Sequence, residues 1–451
     1  MNAKKIILFL VITMITFRSM AQTSIVSLTL DSAIQLSLNQ SRQLQIDQAK
    51  IDAARARFQQ AKSLELPTAK ISGSYTRISD NVEPYTIKMP GSNTEAVLNP
   101  QILNQYSPRF SVSETVYAGG QIKYAERSMM LLEEASKLDR ERNKTGVVYN
   151  TINAYYNLFK IQQTKKLVEE NIRQVSDHVK DIKNYEKNGL ALKNDVLRIE
   201  LQLSNLEHSL IEINSAKQIA EYNMSVALGL STESTYELIN DFSRELSVKD
   251  LGSYQDDALV NRADLQSINK KMGVAILGIK SAKANYFPTL SVGGNMYYGN
   301  PNPRVFPATD AFKGTWDAGI TLSWNLHSLY TNKHNVSESK ANLSQTEFAK
   351  AKLTDDIRME VNADYLTYTK NRERIKVSAQ AVTQAEENFR IVNNRFRNNT
   401  VLISDLTDAN TLLLQTRINL LVDKADTDLA YYKLMHSTGY NNWQTFNQKK
   451  Q

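Results

Sequence analysis

The chain has 451 residues, 41% of them hydrophobic and 22% charged, with a formal charge of +7. The absence of cysteine excludes disulfide and thiolate chemistry. Acidic and basic residues interleave rather than forming blocks, and removing Lys4, Lys5 and Arg18 would leave only +4, so a nucleic-acid partner is not indicated.

Residues 1–21 read as an export signal. Lys4 and Lys5 precede an apolar run over 6–17, and Ser19-Met20-Ala21 supplies small residues at a cut site, making Gln22 the expected mature start. The run is shorter than the roughly 20 residues that span a bilayer. No cysteine lies near the cut, so no lipid anchor is expected. No later stretch approaches a membrane helix. A membrane-embedded part would have to be a closed β-barrel, which alone also satisfies its backbone in lipid.

The remainder reads as two structural repeats, 22–230 and 254–438, joined by a linker at 231–253 and followed by a tail at 439–451. A helix is predicted over about 30–62 and again over about 256–285. Pro67 and Pro288 stop them, because proline cannot continue the helical ladder. Strands follow at about 68–78 and 108–118, and at about 288–299 and 315–326, separated by polar loops over 79–107 and 299–314. Long helical hairpins occupy about 120–228 and 330–437, broken at Asn188-Gly189 and Asn398-Asn399, residue types suited to a tight helix end. Ser63-Leu64-Glu65-Leu66-Pro67-Thr68 is echoed by Ala284-Asn285-Tyr286-Phe287-Pro288-Thr289. Val112-Ser113, Asp195 and Gly229 recur 210 positions on as Leu322-Ser323, Asp405 and Gly439. At about 1.5 Å per residue, each long helix would reach roughly 100 Å. Val196, Leu203 and Leu210, and Leu406, Leu413 and Leu420, fall seven apart and predict coiled-coil seams.

The strands carry a different period. Trp316, Ala318, Ile320, Leu322, Trp324 and Leu326 alternate with Asp317, Gly319, Thr321, Ser323 and Asn325. Leu290, Val292, Met296 and Tyr298, Ile71 and Tyr75, and Phe110, Val112 and Val116 repeat the pattern, with Glu114 as an exception on the apolar face. A half-buried sheet in a soluble protein alternates in the same way. An export signal and four apolar strand faces without another partner favour lipid-facing strands around a polar interior. Four strands cannot close a barrel, so the chain must oligomerise, and a dimer or a trimer satisfies the count. The loops would face outward from the cell and the helices would reach into the periplasm.

Enzyme signals are absent. His178, His208, His327, His334 and His436 are scattered, His334 with Glu338 being the nearest approach to a ligand pair, and Ala118-Gly119-Gly120 lacks the rest of a phosphate loop. No cofactor is expected.

A duplicated strand–strand–long-hairpin plan, the junctions at Pro67 and Pro288, and the stretch from Phe396 to Ala409 resemble the TolC family of outer-membrane efflux proteins. The resemblance implies a mostly α fold with β-barrel strands. It implies a homotrimer in which each protomer gives four strands to a shared barrel, continued by a periplasmic tunnel. It also implies a tripartite pump with a periplasmic adaptor and an inner-membrane transporter. The segment between the repeats and the tail after Gly439 would form an equatorial belt. Asp405 and Asp408 match the family's constricting aspartates, and symmetry would turn each into a carboxylate ring that favours cations. Asp195 matches Asp405, but Arg198 stands where Asp408 does, so the second hairpin is expected to dominate the gate. The tyrosine and arginine of the family's closing lock are replaced by Phe396 and Val401, leaving Arg395, Arg397 and Arg198 as the nearby donors. A protein-secretion duct of the same fold and a periplasmic coiled-coil scaffold are the alternatives.

Overall fold

Left-handed glycines, prolines and capping side chains set the element boundaries in the computed structural model, which describes residues 25–239 and 249–440 apart from Val82, Ser92 and Asn399. The expected export signal and all but the first two residues of the tail lie outside the described residues. In chain order come β1 (Ile25–Thr29), α1 (Leu30–Gln40), α2 (Arg42–Lys62), β2 (Thr68–Ser72) and β3 (Tyr75–Arg77). Next are β4 (Tyr85–Lys88), β5 (Glu95–Asn99), β6 (Asn104–Tyr106), β7 (Arg109–Ala118), α3 (Gln121–Lys187) and α4 (Lys193–Leu228). The second repeat is announced by β8 (Thr235–Ile239), α5 (Leu251–Asn261) and α6 (Ala263–Ala284). It continues with β9 (Thr289–Gly299), β10 (Lys313–Ser323), α7 (Ser328–Thr331), α8 (Lys333–Arg397) and α9 (Ile403–Ser437).

Five expectations need correction. The helix over 30–62 is two helices, because Ser41 takes an extended backbone and its Oγ accepts from Leu44 N at 3.3 Å, starting α2 afresh. The helix over 256–285 likewise breaks at extended Arg262. The loop over 79–107 holds a small hairpin, β4 with β5, and the linker contains β8. The last strand ends at Ser323, so Trp324 and Leu326 lie beyond the ladder, and the Trp324 indole donates to Tyr286 O at 3.1 Å.

The chain divides into two compact units, one of residues 1–46, 140–263 and 354–451, the other of residues 47–139 and 264–353. In the first unit, the parallel pair β1–β8 sits on a core of Val148, Ile152, Tyr155, Leu158, Met224 and Leu228. The Tyr155 hydroxyl lies 2.5 Å from Ile239 O and 3.2 Å from Leu28 O, so its proton ties both strands to α3. Charged groups inside this unit are paired: Asp423 with Arg374 at 2.6 Å, and Asp364 with Lys433 at 3.0 Å. Asn171 and Asn410 exchange amide hydrogen bonds at 2.9 and 3.2 Å.

Tyr149, Tyr155, Tyr254, Tyr368 and Tyr431 all have hydroxyls pushed up by burial from the ordinary phenol value near 10. A folded pKa raised above the unfolded one means that folding favours the neutral phenol. The stability it contributes is complete below about pH 10 and falls as pH climbs above that. In an alkaline titration, helical circular dichroism should therefore be lost together with the late tyrosinate absorbance at 295 nm. All tyrosines ionising near pH 10 with helicity intact would contradict the packing.

In the second unit, β10, β9, β7 and β2 form one antiparallel sheet in that order. β2 and β10 are its edge strands, each unpaired within the sheet on its outer side.

Candidate channel wall and hairpin tips

The register sorts the sheet into two faces. Trp316, Met296, Phe110 and Ile71 stand in one row across all four strands, and Ile320, Val292 and Glu114 in another. Asp317, Asn295, Ser111 and Lys70 form the row between them, on the opposite face. The apolar face is bare: Ile71 is 81% exposed, Trp316 78% and Ile320 73%. A patch this large marks a surface meant for an apolar surrounding. Glu114 does stand on it, opposite Val292.

One register detail was hidden in the sequence. Between Thr115 and Tyr117 the pairing slips, because Thr115 faces Ser291 while Tyr117 faces Leu290. Val116 is the extra residue of a β-bulge, and Tyr117 takes the apolar row that strict alternation gave to Val116.

Aromatic side chains mark both ends of the face. At the loop end, Tyr75 meets Tyr106 with ring centroids 5.1 Å apart, and Phe312 stacks on Tyr298 at 5.4 Å. At the helix end are exposed Phe287 and Trp324. β9 has 11 residues. At about 3.3 Å per residue and a tilt near 40°, it spans roughly 25 Å along a barrel axis, the height of the apolar band of an outer-membrane barrel.

Strand turns into helix at Gly119 and Gly120, with φ of +63° and +85°. A Cβ on Gly119 would stand 2.7 Å from Ala284 O, so a side chain fits there neither by conformation nor by space.

The hairpin tips lie in the first unit. α3 ends with Gly189 at φ +73° and Leu190 N donating to Tyr185 O at 2.8 Å, a glycine cap that reverses the chain. In the second hairpin Thr400 N reaches Arg395 O at 3.0 Å. Asp195 and Asp405 then start the return helices, accepting from Leu192 N at 3.0 Å and Leu402 N at 3.3 Å. Both expected gate acids in this register are thus also helix caps. Asp408, one turn on, is exposed, as are Arg198, Arg395 and Arg397.

Phe396 takes a different place. It is half-buried, packs beside the tip core of Val175, Val179, Ile182, Val196, Ile199, Ile403 and Leu406, and meets the Tyr185 ring at 6.4 Å. The seam residues Val196, Leu406 and Leu413 are buried as well. His178 nearby has a buried Nε2 without a hydrogen-bond partner, and burial pulls its pKa down. Among the described residues, no group of three or more His, Asp or Glu could hold a metal ion. No helix among them is long and apolar enough to cross a membrane.

Residues 255–440 match the model of the family described as outer membrane efflux protein. The matched family model and the fold are those of outer-membrane channels, not of enzymes. No curated protein matches it by sequence. Three solved structures are similar to it. The channel CusC, at 16% identity, has a TM-score of 0.79, covering 94% of this chain and 96% of that one. The outer-membrane channel OprN, at 17% identity, has a TM-score of 0.76, covering 91% and 90%. The outer membrane protein VceC from Vibrio cholerae, at 16% identity, has a TM-score of 0.74, covering 91% and 97%.

Proposed function

We propose that three copies of this chain close one barrel and form the exit duct of a tripartite pump, fed by a periplasmic adaptor and an inner-membrane transporter. The observation that carries the reading is the open sheet, apolar outside and polar inside, with β2 and β10 as free edges. An unpaired edge is a liability that closure removes. Pairing β10 of one copy with β2 of the next is a head-to-tail contact that ends in a ring. Three sheets of four strands give twelve, within the range of outer-membrane barrels. The duct is passive and the transporter supplies the energy. At the tips, Asp405 and Asp408 become rings that set the charge seen by solutes, and Arg198 offsets Asp195 in the other hairpin. Exposed Arg395 and Arg397 are the donors available to hold a closed state.

The test exploits the lack of native cysteine. A cysteine at Lys70 in β2, combined singly with cysteines from 313 to 321 in β10, should give an oxidation-dependent ladder ending at the trimer. A ladder ending at the dimer would replace the trimer by a two-copy barrel. No cross-link at any register would remove the shared barrel.

A further inference from the structure

The polar face of the sheet is not uniform along its length. In the three rows nearest the helices it carries only Gly, Ser, Thr and Ala, for example Thr289 with Ser323 and Ser291 with Thr321. The three rows nearest the loops carry all its charge: Lys70, Arg109 and Lys313, against the single carboxylate of Asp317. The loop between β9 and β10 adds a fourth cation to this end. Arg304 pairs with Asp317 and lies over the Tyr297 ring, 4.4 Å from its centroid. Arg109 lies over the same ring at 5.2 Å, and its Nε and Nη2 both donate to Asn295 Oδ1, at 3.1 and 2.5 Å.

These arginines are held in place rather than free. Asn295 Nδ2 donates to Asp317 Oδ1 at 2.7 Å, so one chain of contacts runs from Arg109 through Asn295 and Asp317 to Arg304. Asn302 pins the loop, donating to Lys313 O at 2.8 Å and accepting from Arg304 N at 3.0 Å. Asp310 in the same loop is engaged by Asn300 at 2.9 Å. Four cations against the one carboxylate of the face leave a local excess of +3 per chain, before the loop's Asp310 is counted.

We infer that the outer end of the barrel lumen is a fixed cationic collar, an anion-recognising ring that selects for solutes bearing carboxylate, sulfonate or phosphate groups. The inference rests on the barrel reading, which makes the polar face the lumen. Arginines held beside an aromatic ring suit this task, because they present a planar donor fork to an anion while the ring accepts the apolar part of the solute. Rings of Arg and Lys impose anion preference in pores, and symmetry repeats the collar in every copy. Its sign is opposite to that of the aspartates at the second hairpin tip.

The test uses the full-length protein in planar bilayers with the trisulfonated dye pyranine as the probe. Micromolar pyranine should reduce the current of the native channel when added to one face. In Arg109→Gln/Arg304→Gln the half-blocking concentration should rise by at least about tenfold, whereas Arg109→Lys/Arg304→Lys should stay within about threefold of the native channel. Lys70→Gln, outside the hydrogen-bonded cluster, should weaken the block without disturbing the loop, and decides the matter if the arginine variants fail to assemble. A conducting channel whose block is the same in native protein and glutamine variants overturns the collar and leaves the barrel standing. Protein that inserts no conducting channel overturns both.

Discussion

Ile320→Arg is expected to abolish assembly in the outer membrane, whereas Thr321→Arg, one residue along, leaves it intact. Ile320 is 73% exposed, stands in the bare apolar row opposite Val292, and lies well inside the strand. Arginine facing lipid near the midplane costs about 2–4 kcal/mol, and a three-copy ring multiplies this to roughly 6–12 kcal/mol. Thr321 pairs with Ser291 on the polar face, where an added charge meets water. The measurement is the yield of heat-modifiable oligomer in outer-membrane fractions. Equal yields from the two variants would mean that the apolar row does not face lipid, and a soluble sheet would have to be reconsidered.

Removing charge at the second hairpin tip should lower the channel's preference for cations. The variant matters, because Asp405 has two tasks. Its carboxylate caps α9 through Leu402 N, so Asp405→Ala would forfeit about 0.5–2 kcal/mol of capping together with the charge. Asparagine keeps a side-chain oxygen in reach and removes only the charge. Asp405→Asn/Asp408→Asn should shift the reversal potential in a salt gradient toward anions, by an amount equivalent to a several-fold change in permeability ratio. Asp195→Asn alone should do much less, since Arg198 stands one turn away on the same helix. An unchanged reversal potential in the double variant would relieve both acids of a gating role and leave Asp405 as a cap.

The architecture was legible because it is periodic. The alternation over 316–322 gives the face of β10, and the seven-residue spacing of Val196 and Leu406 gives the seams that are buried. Asn188-Gly189 marks a helix end because only the left-handed backbone completes that cap. Local, aperiodic events were not legible. The break at Ser41 depends on one hydroxyl reaching Leu44 N, in a stretch whose composition reads as continuous helix. The bulge at Val116 shifts the parity of its strand without any glycine inside the strand to announce it. The tip motif drew attention to Phe396 through its position in the chain, yet its ring turns toward Tyr185 and the tip core. Arg304 was missed because it sits in a loop, and only the fold of that loop brings it to Tyr297 and Asp317.

The order of strands in the sheet has a consequence for ancestry and assembly. β7 and β9 belong to different repeats, yet they pair within one chain. The contact between β10 and a neighbour's β2 would again join a second-repeat strand to a first-repeat strand, in the same antiparallel sense. The covalent chain thus already contains one example of the seam that the proposed ring would repeat. Six separate half-chains placed around a ring would need six such encounters; fusing them in pairs leaves three to diffusion. Tethering makes the other three intramolecular, at an effective concentration that no free half-chain in the periplasm would reach.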